Sequence, residues 1–139
     1  MKLIPQILLI LTLSFSMHAC QKIEGPAKNI FQTWEVKEFV STESTNYSKR
    51  EDSPIYLTIH EDQSYSLKLD ANICQGSLLR ITDLSIIFES PACTEICCDS
   101  PFSSHLADLL PFISMYKVQD NILRLSISDW GFIECERVD

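Results

Sequence analysis

The sequence predicts an α+β domain that is mainly β: a small antiparallel curved sheet or partial barrel of about seven to eight strands, with one helix at about 100–110. Three observations lead there. Apolar and polar residues alternate over short runs, which is the period of half-buried strands. The connections between those runs are too short for crossover helices, so neighbouring strands pair antiparallel. One stretch alone has a helical apolar stripe, and such a helix must cover an open end or face of the sheet.

Taken in order, the chain opens on a segment outside the fold. Lys2 supplies a positive start, an apolar run follows from Ile7 to Met17, and Ala19 is the small residue before a cleavage point, so 1–19 reads as a signal peptide. The run is too short to span a bilayer, which needs about 20 apolar residues. Cys20 follows directly. A cysteine there resembles the lipobox of bacterial lipoproteins, although Met17 stands where leucine is usual and His18 where a small residue is usual. The resemblance implies that Cys20 carries the lipid and becomes the mature N-terminus. Two or more acyl chains would then hold the protein to a membrane. Residues 20–29 contain Gly25-Pro26 and read as a solvated tether. Their start, Cys20-Gln21-Lys22-Ile23-Glu24, resembles the export signals of some Bacteroidetes lipoproteins but is less acidic. The expected location is the bacterial cell envelope, as an outer-membrane lipoprotein, with the periplasmic or surface face left open.

Residues 30–139 form the expected domain. Trp34 and Val36 share one face of a first strand, and Phe39-Val40 break the alternation, which predicts a bulge or an end there. Residues 41–53 are rich in Ser, Thr, Asn and charges and read as a mobile loop. Ile55, Leu57 and Ile59 alternate in a strand, Glu61-Asp62-Gln63 turn the chain, and Tyr65, Leu67 and Leu69 return. Further strands are expected through Cys74 to Arg80 and through Leu84, Ile86 and Phe88.

Ser100-Pro101 is a helix start, with a capping hydroxyl and a proline whose missing N–H costs nothing at the first position. Phe102, Leu106, Leu109 and Leu110 line one face, and Pro111 disfavours helical geometry at Leu110. Strands then follow at 114–118, at Leu123, Leu125 and Ile127, and at Ile133 and Cys135, separated by turns at 119–121 and 129–131. Trp130, at the second turn, has two readings: an exposed recognition residue, or a ring folded back on the sheet.

These residues together resemble the META domain, found in a heat-inducible bacterial lipoprotein linked to novobiocin resistance and in other exported proteins. Trp34 matches an early tryptophan of the first strand. Asn72 and Gly76 match two positions of a Gly-Cys-Asn-x-Phe-x-Gly motif. Thr94 to Cys98 match a Thr-x-x-x-Cys element before the helix, Leu109-Leu110 match leucines at its end, and Tyr116 to Leu125 match a Tyr-x-Val…Leu-x-Leu pair of strands. Ala71 stands at the family's first cysteine, Cys74 at its buried phenylalanine, and Cys93 and Cys97 are additional. The resemblance implies a small antiparallel β structure with one helix and supplies no catalytic residues.

Five cysteines follow Cys20: Cys74, Cys93, Cys97, Cys98 and Cys135. That density in an exported chain predicts disulfides, and an odd number leaves one thiol over. Beside the family motif, Cys74 is expected to pair with the 93–98 cluster, with Cys135 as the cluster's second partner. A zinc or copper(I) site built from Cys93, Cys97, Cys98 and His105 is the competing reading, but the paired Cys-x-x-Cys knuckles are missing. His60 and His105 read as surface residues. No serine sits in a nucleophile elbow, and three dispersed glycines make no phosphate loop, so no cofactor or catalytic set is assigned. The net charge of −8 argues against nucleic acid as a partner. The expected function is a non-enzymatic, envelope-anchored binding or stress-related role toward an unknown protein or small ligand. The alternative is thiol-based redox, metal-binding or hydrolytic activity. Either role is expected on exposed loops, chiefly 41–53 and the Trp130 turn, because loops vary without cost to the core.

Overall fold

The computed structural model describes residues 28–139. The signal peptide, Cys20 and the tether up to residue 27 lie outside the described residues. Nine strands and one α-helix follow: β1 (Thr33–Ser41), β2 (Tyr56–Ile59), β3 (Ser64–Lys68), β4 (Ile73–Ile81), β5 (Ile86–Phe88), β6 (Ala92–Cys93), α1 (Pro101–Leu109), β7 (Ile113–Gln119), β8 (Ile122–Ile127) and β9 (Gly131–Arg137). Eight strands run in the order β5-β4-β3-β2-β1-β9-β8-β7, and β6 pairs on β4 beside β5. Every pairing is antiparallel. The first and last strands meet in the middle of the order, so the ends of that path, β5 and β7, curl toward each other. A bridge between Ser85 and Met115 joins them, with Tyr116 N donating to Leu84 O (3.0 Å) and Tyr116 Oη to Thr82 O (2.7 Å). The result is a nearly closed barrel with a single helix, as the alternation and short connections predict.

The turns follow local chemistry. Asp120-Asn121 is a two-residue hairpin loop between the paired Gln119 and Ile122, and Asp120 has a positive φ of 54°. Asp and Asn tolerate that region better than other side chains. Gln63 (φ 65°) and Asp129 (φ 58°) do the same in the turns before β3 and β9.

Alternation fills the lumen. Trp34, Leu57, Leu67, Phe88, Leu125 and Ile133 are buried along six different strands. Tyr65 stands opposite Gly76 across the β3–β4 pair, and a Cβ on Gly76 would come within 2.6 Å of the Tyr65 ring. The glycine is therefore the space that the ring occupies. The Tyr65 hydroxyl donates to Glu89 O at 2.6 Å. Burial first, then the Glu89 carboxylate, pushes its pKa from 10.0 up to about 12. Because the folded value is the raised one, this group's stabilisation is complete below about pH 10 and is lost as pH climbs toward 12. An alkaline absorbance titration should show a tyrosinate step near 12 that Tyr65→Phe removes. Persistence of that step in the variant contradicts the assignment.

Helix α1 buries its apolar face in the core. Ser100 caps it, accepting from Ser103 N, and Pro101 opens it. Phe102, Leu106, Leu109 and Leu110 are buried, as the stripe predicts. Pro111 behaves differently from expectation. Leu110 stays helical (φ −51°, ψ −46°), and the chain tightens into a 3-10 turn over Leu110–Phe112. Complete burial of Leu110 outweighs the steric preference of a residue before proline. Leu84 departs as well: it is 67% exposed and precedes β5, where its carbonyl serves the seam instead of its side chain serving the core.

A rim cleft and a cysteine loop

The bulge in β1 creates the candidate site. Val36 pairs with Cys135 and Glu38 with Glu134, so Lys37 is the extra residue, two positions before the break read from the sequence. A bulge reverses the alternation beyond it. Phe39, an odd-numbered position, therefore turns toward the helix, although Trp34 and Val36 are the inward residues before the bulge. Its ring stacks on Phe102 with centroids 4.1 Å apart and meets His105, Trp130 and Tyr47 edge-on at 5.4, 5.9 and 6.0 Å. Trp130 has thus folded back on the sheet.

The 41–53 segment, expected as a mobile loop, is tied to the fold at several points, although it has almost no regular structure. Thr42 N donates to Trp130 O (3.1 Å), and Phe102 N donates to Ser48 O (3.2 Å). Lys49 Nζ donates to Val36 O at the bulge (2.6 Å) and lies 5.3 Å from the Phe102 ring centre. Tyr47 stacks on His105 at 3.8 Å, and its hydroxyl donates to Glu43 Oε2 (3.4 Å). His105 is thus not a simple surface histidine: its Nε2 is 3.9 Å from Glu43 Oε2. The ionisable groups respond to this crowding. Burial pushes the Lys49 ammonium below its ordinary pKa. Burial and then the Glu43 carboxylate raise the Tyr47 phenol. Hydrogen bonding to Glu35, above all, raises Lys37.

Between the bulge, this strap and α1 lies a cleft of about 280 Å³. Phe39, Tyr47 and Phe102 give it apolar walls, and Lys37, Glu38, Glu43 and Lys49 bring charge of both signs. Such a surface suits a ligand with hydrogen-bonding groups and an apolar face.

The cysteines lie elsewhere. Cys74 and Cys93 face each other across the β4–β6 pair and are joined by a disulfide 19 residues apart. Closing a loop of that length is worth roughly 3 kcal/mol in the chain-entropy model. Cys97 is joined to its neighbour Cys98. Cys135 is therefore not the cluster's second partner. It is a free, fully buried thiol opposite Val36 and Leu123, and burial drives its pKa strongly upward. The reason is geometric: β9 sits at the centre of the strand order, whereas the 93–98 segment lies along the outer edge of β4. The metal reading loses its ligand set in the same way. Cys93 is committed to Cys74, and His105 is stacked under Tyr47. Among the described residues no three metal-capable side chains converge.

Sequence reading missed the framework around this loop. The Asn72 side chain donates to Ile96 O (2.7 Å) and Asp99 Oδ2 (2.6 Å), and accepts from Ile96 N (2.7 Å) and Thr94 Oγ1 (2.8 Å). Asp99 Oδ1 accepts from Ala71 N and Asn72 N. Asp70 Oδ2 accepts from Ser100 N (2.8 Å) and Ser103 Oγ (2.7 Å) at the helix start. Burial works to raise the Asp70 pKa, but these hydrogen bonds outweigh it and hold the group below the ordinary value. The signal available was Asp99 immediately before Ser100-Pro101, and a second carboxylate in Asp70-Ala71-Asn72.

No family model matches the chain, and no curated protein matches it. Among solved structures it is similar to the crystal structure of a DUF4847 family protein from Bacteroides vulgatus, at 13% identity and a TM-score of 0.58. The match covers 79% of this chain and 96% of that one. At that identity the likeness concerns the fold.

Proposed function

We propose that this chain is a bacterial envelope lipoprotein, anchored through acyl chains on Cys20, whose META-like domain binds a polar ligand in the rim cleft without turnover. The observation that carries the binding reading is the division of labour in the barrel. Trp34, Tyr65 and Phe88 fill the lumen together with the apolar face of α1, so a ligand is left the outside of the scaffold. Of the two stretches expected from sequence to carry activity, 41–53 lines the cleft, and the Trp130 turn packs against its Phe39 wall and accepts from Thr42 N. The META-like reading rests on the sequence resemblance; among the residues that carry it, Asn72 donates to Asp99, Thr94 donates to Asn72, and Gly76 leaves the space that the Tyr65 ring fills.

Anchoring is tested by fractionating cells and weighing the mature protein. The wild type should sediment with membranes and carry acyl mass, and Cys20→Ala should lose both. A soluble, unmodified wild type contradicts the anchor. Binding is tested with a photo-crosslinking phenylalanine analogue at Tyr47 in the native envelope, with Gln75, on β4, as the comparison position. The account expects adducts from position 47 that Lys49→Glu removes. Identical adducts from both positions contradict a binding role for the cleft.

A further inference from the structure

We propose that Cys97–Cys98 is a thiol–disulfide exchange site, separate in role from the structural Cys74–Cys93 bond. Four observations lead to it. The two disulfides differ in what they hold. Cys74–Cys93 ties two strands across 19 residues, with Cys74 fully buried, whereas Cys97–Cys98 joins neighbours and so closes almost no loop. A bond that removes so little freedom from the unfolded chain is not a staple. Both sulfur-bearing residues are exposed, on a loop between β6 and α1, where a thiol can approach. The loop is held without them: Asn72 grips Ile96 from both backbone sides, and Asp99 is fastened to Ala71 and Asn72. Opening the bond therefore leaves the frame standing. Finally, Arg50 Nη2 donates to Cys98 O, which puts a guanidinium beside the pair, and a neighbouring cation favours the thiolate over the thiol.

The step balances as ordinary exchange. An external thiolate attacks one sulfur, the Cys97–Cys98 bond breaks, and a mixed disulfide forms while the other cysteine leaves as a thiolate and takes up a proton. A second external thiol attacks the mixed disulfide and releases the remaining cysteine. The pair gains two electrons and two protons, and two external thiols become one disulfide. Exposed Ile96 (59%) beside the pair offers an apolar contact to the incoming thiol.

The oxidised full-length chain should be incubated with rising glutathione, trapped with N-ethylmaleimide and mapped by mass. Cys97 and Cys98 should label together while Cys74–Cys93 stays closed, Cys135 stays unlabelled and the thermal midpoint does not move. Arg50→Ala should slow labelling severalfold without shifting the midpoint. A Cys97→Ser/Cys98→Ser variant should melt with the wild type, whereas Cys74→Ser/Cys93→Ser should melt clearly lower. The proposal is overturned if Cys97 and Cys98 label only after Cys74–Cys93 opens. It is equally overturned if the oxidised chain pairs them with other cysteines, or if the double-serine variant loses as much stability as the Cys74/Cys93 variant.

Discussion

Replacing Trp34 by alanine is expected to lower the free energy of unfolding by about 3–5 kcal/mol. Trp34 is fully buried and lies between β2 and β9, opposite Leu57 on one side and Arg137 on the other. Its Nε1 donates to Ile30 O at 3.0 Å, which ties the turn at Lys28–Ile30 to the barrel. Alanine removes the ring, leaves a cavity that rigid strands cannot collapse, and takes one of two donors from Ile30 O, which keeps Gln32 N. Ile30, itself fully buried, should loosen with it. Denaturant unfolding measures this as a drop in midpoint at constant slope. A loss below about 1 kcal/mol would mean that the ring is not part of a close-packed core.

Gly131→Ala should cost about 3 kcal/mol or more, although it adds one methyl group. Gly131 has φ +143°, where side chains are strained, and it pairs with Ser41 and Ile127 at the start of β9. A Cβ there would overlap Val40 O and sit 2.8 Å from Ser41 Cα. Both obstacles are backbone, so neither can rotate away. The expected response is a shift of the β1–β9 ladder just where Thr42 N meets Trp130 O and the strap begins. The same variant should therefore weaken cleft crosslinking as well as stability. Wild-type stability in Gly131→Ala would contradict the described approach of β9 to β1.

Much of this was legible because it rests on local periodicity. Leu57, Leu67, Leu123, Leu125 and Ile133 alternate, and all are buried. Ser100-Pro101 marked the helix start because capping is a property of adjacent residues. What escaped the sequence is decided by distant partners. The Ser, Thr and charged residues of 41–53 resemble a free loop until Lys49 finds Val36 O and Tyr47 finds His105. Cys135 looked like a disulfide partner because it faces inward, and only the strand order separates it from the 93–98 edge. The roles of Asp70 and Asp99 need backbone donors about 30 residues away that pattern alone cannot bring close.

The central claim is that the rim cleft is a formed structure, walled by an ordered strap. Nitrogen-15 relaxation of the 43–50 backbone tests it most directly. The account predicts order parameters close to the rigid value of about 0.85 across 47–49, where Tyr47, Ser48 and Lys49 are held. Values below about 0.6 throughout that stretch would contradict it, because a strap moving so freely could not wall a cleft.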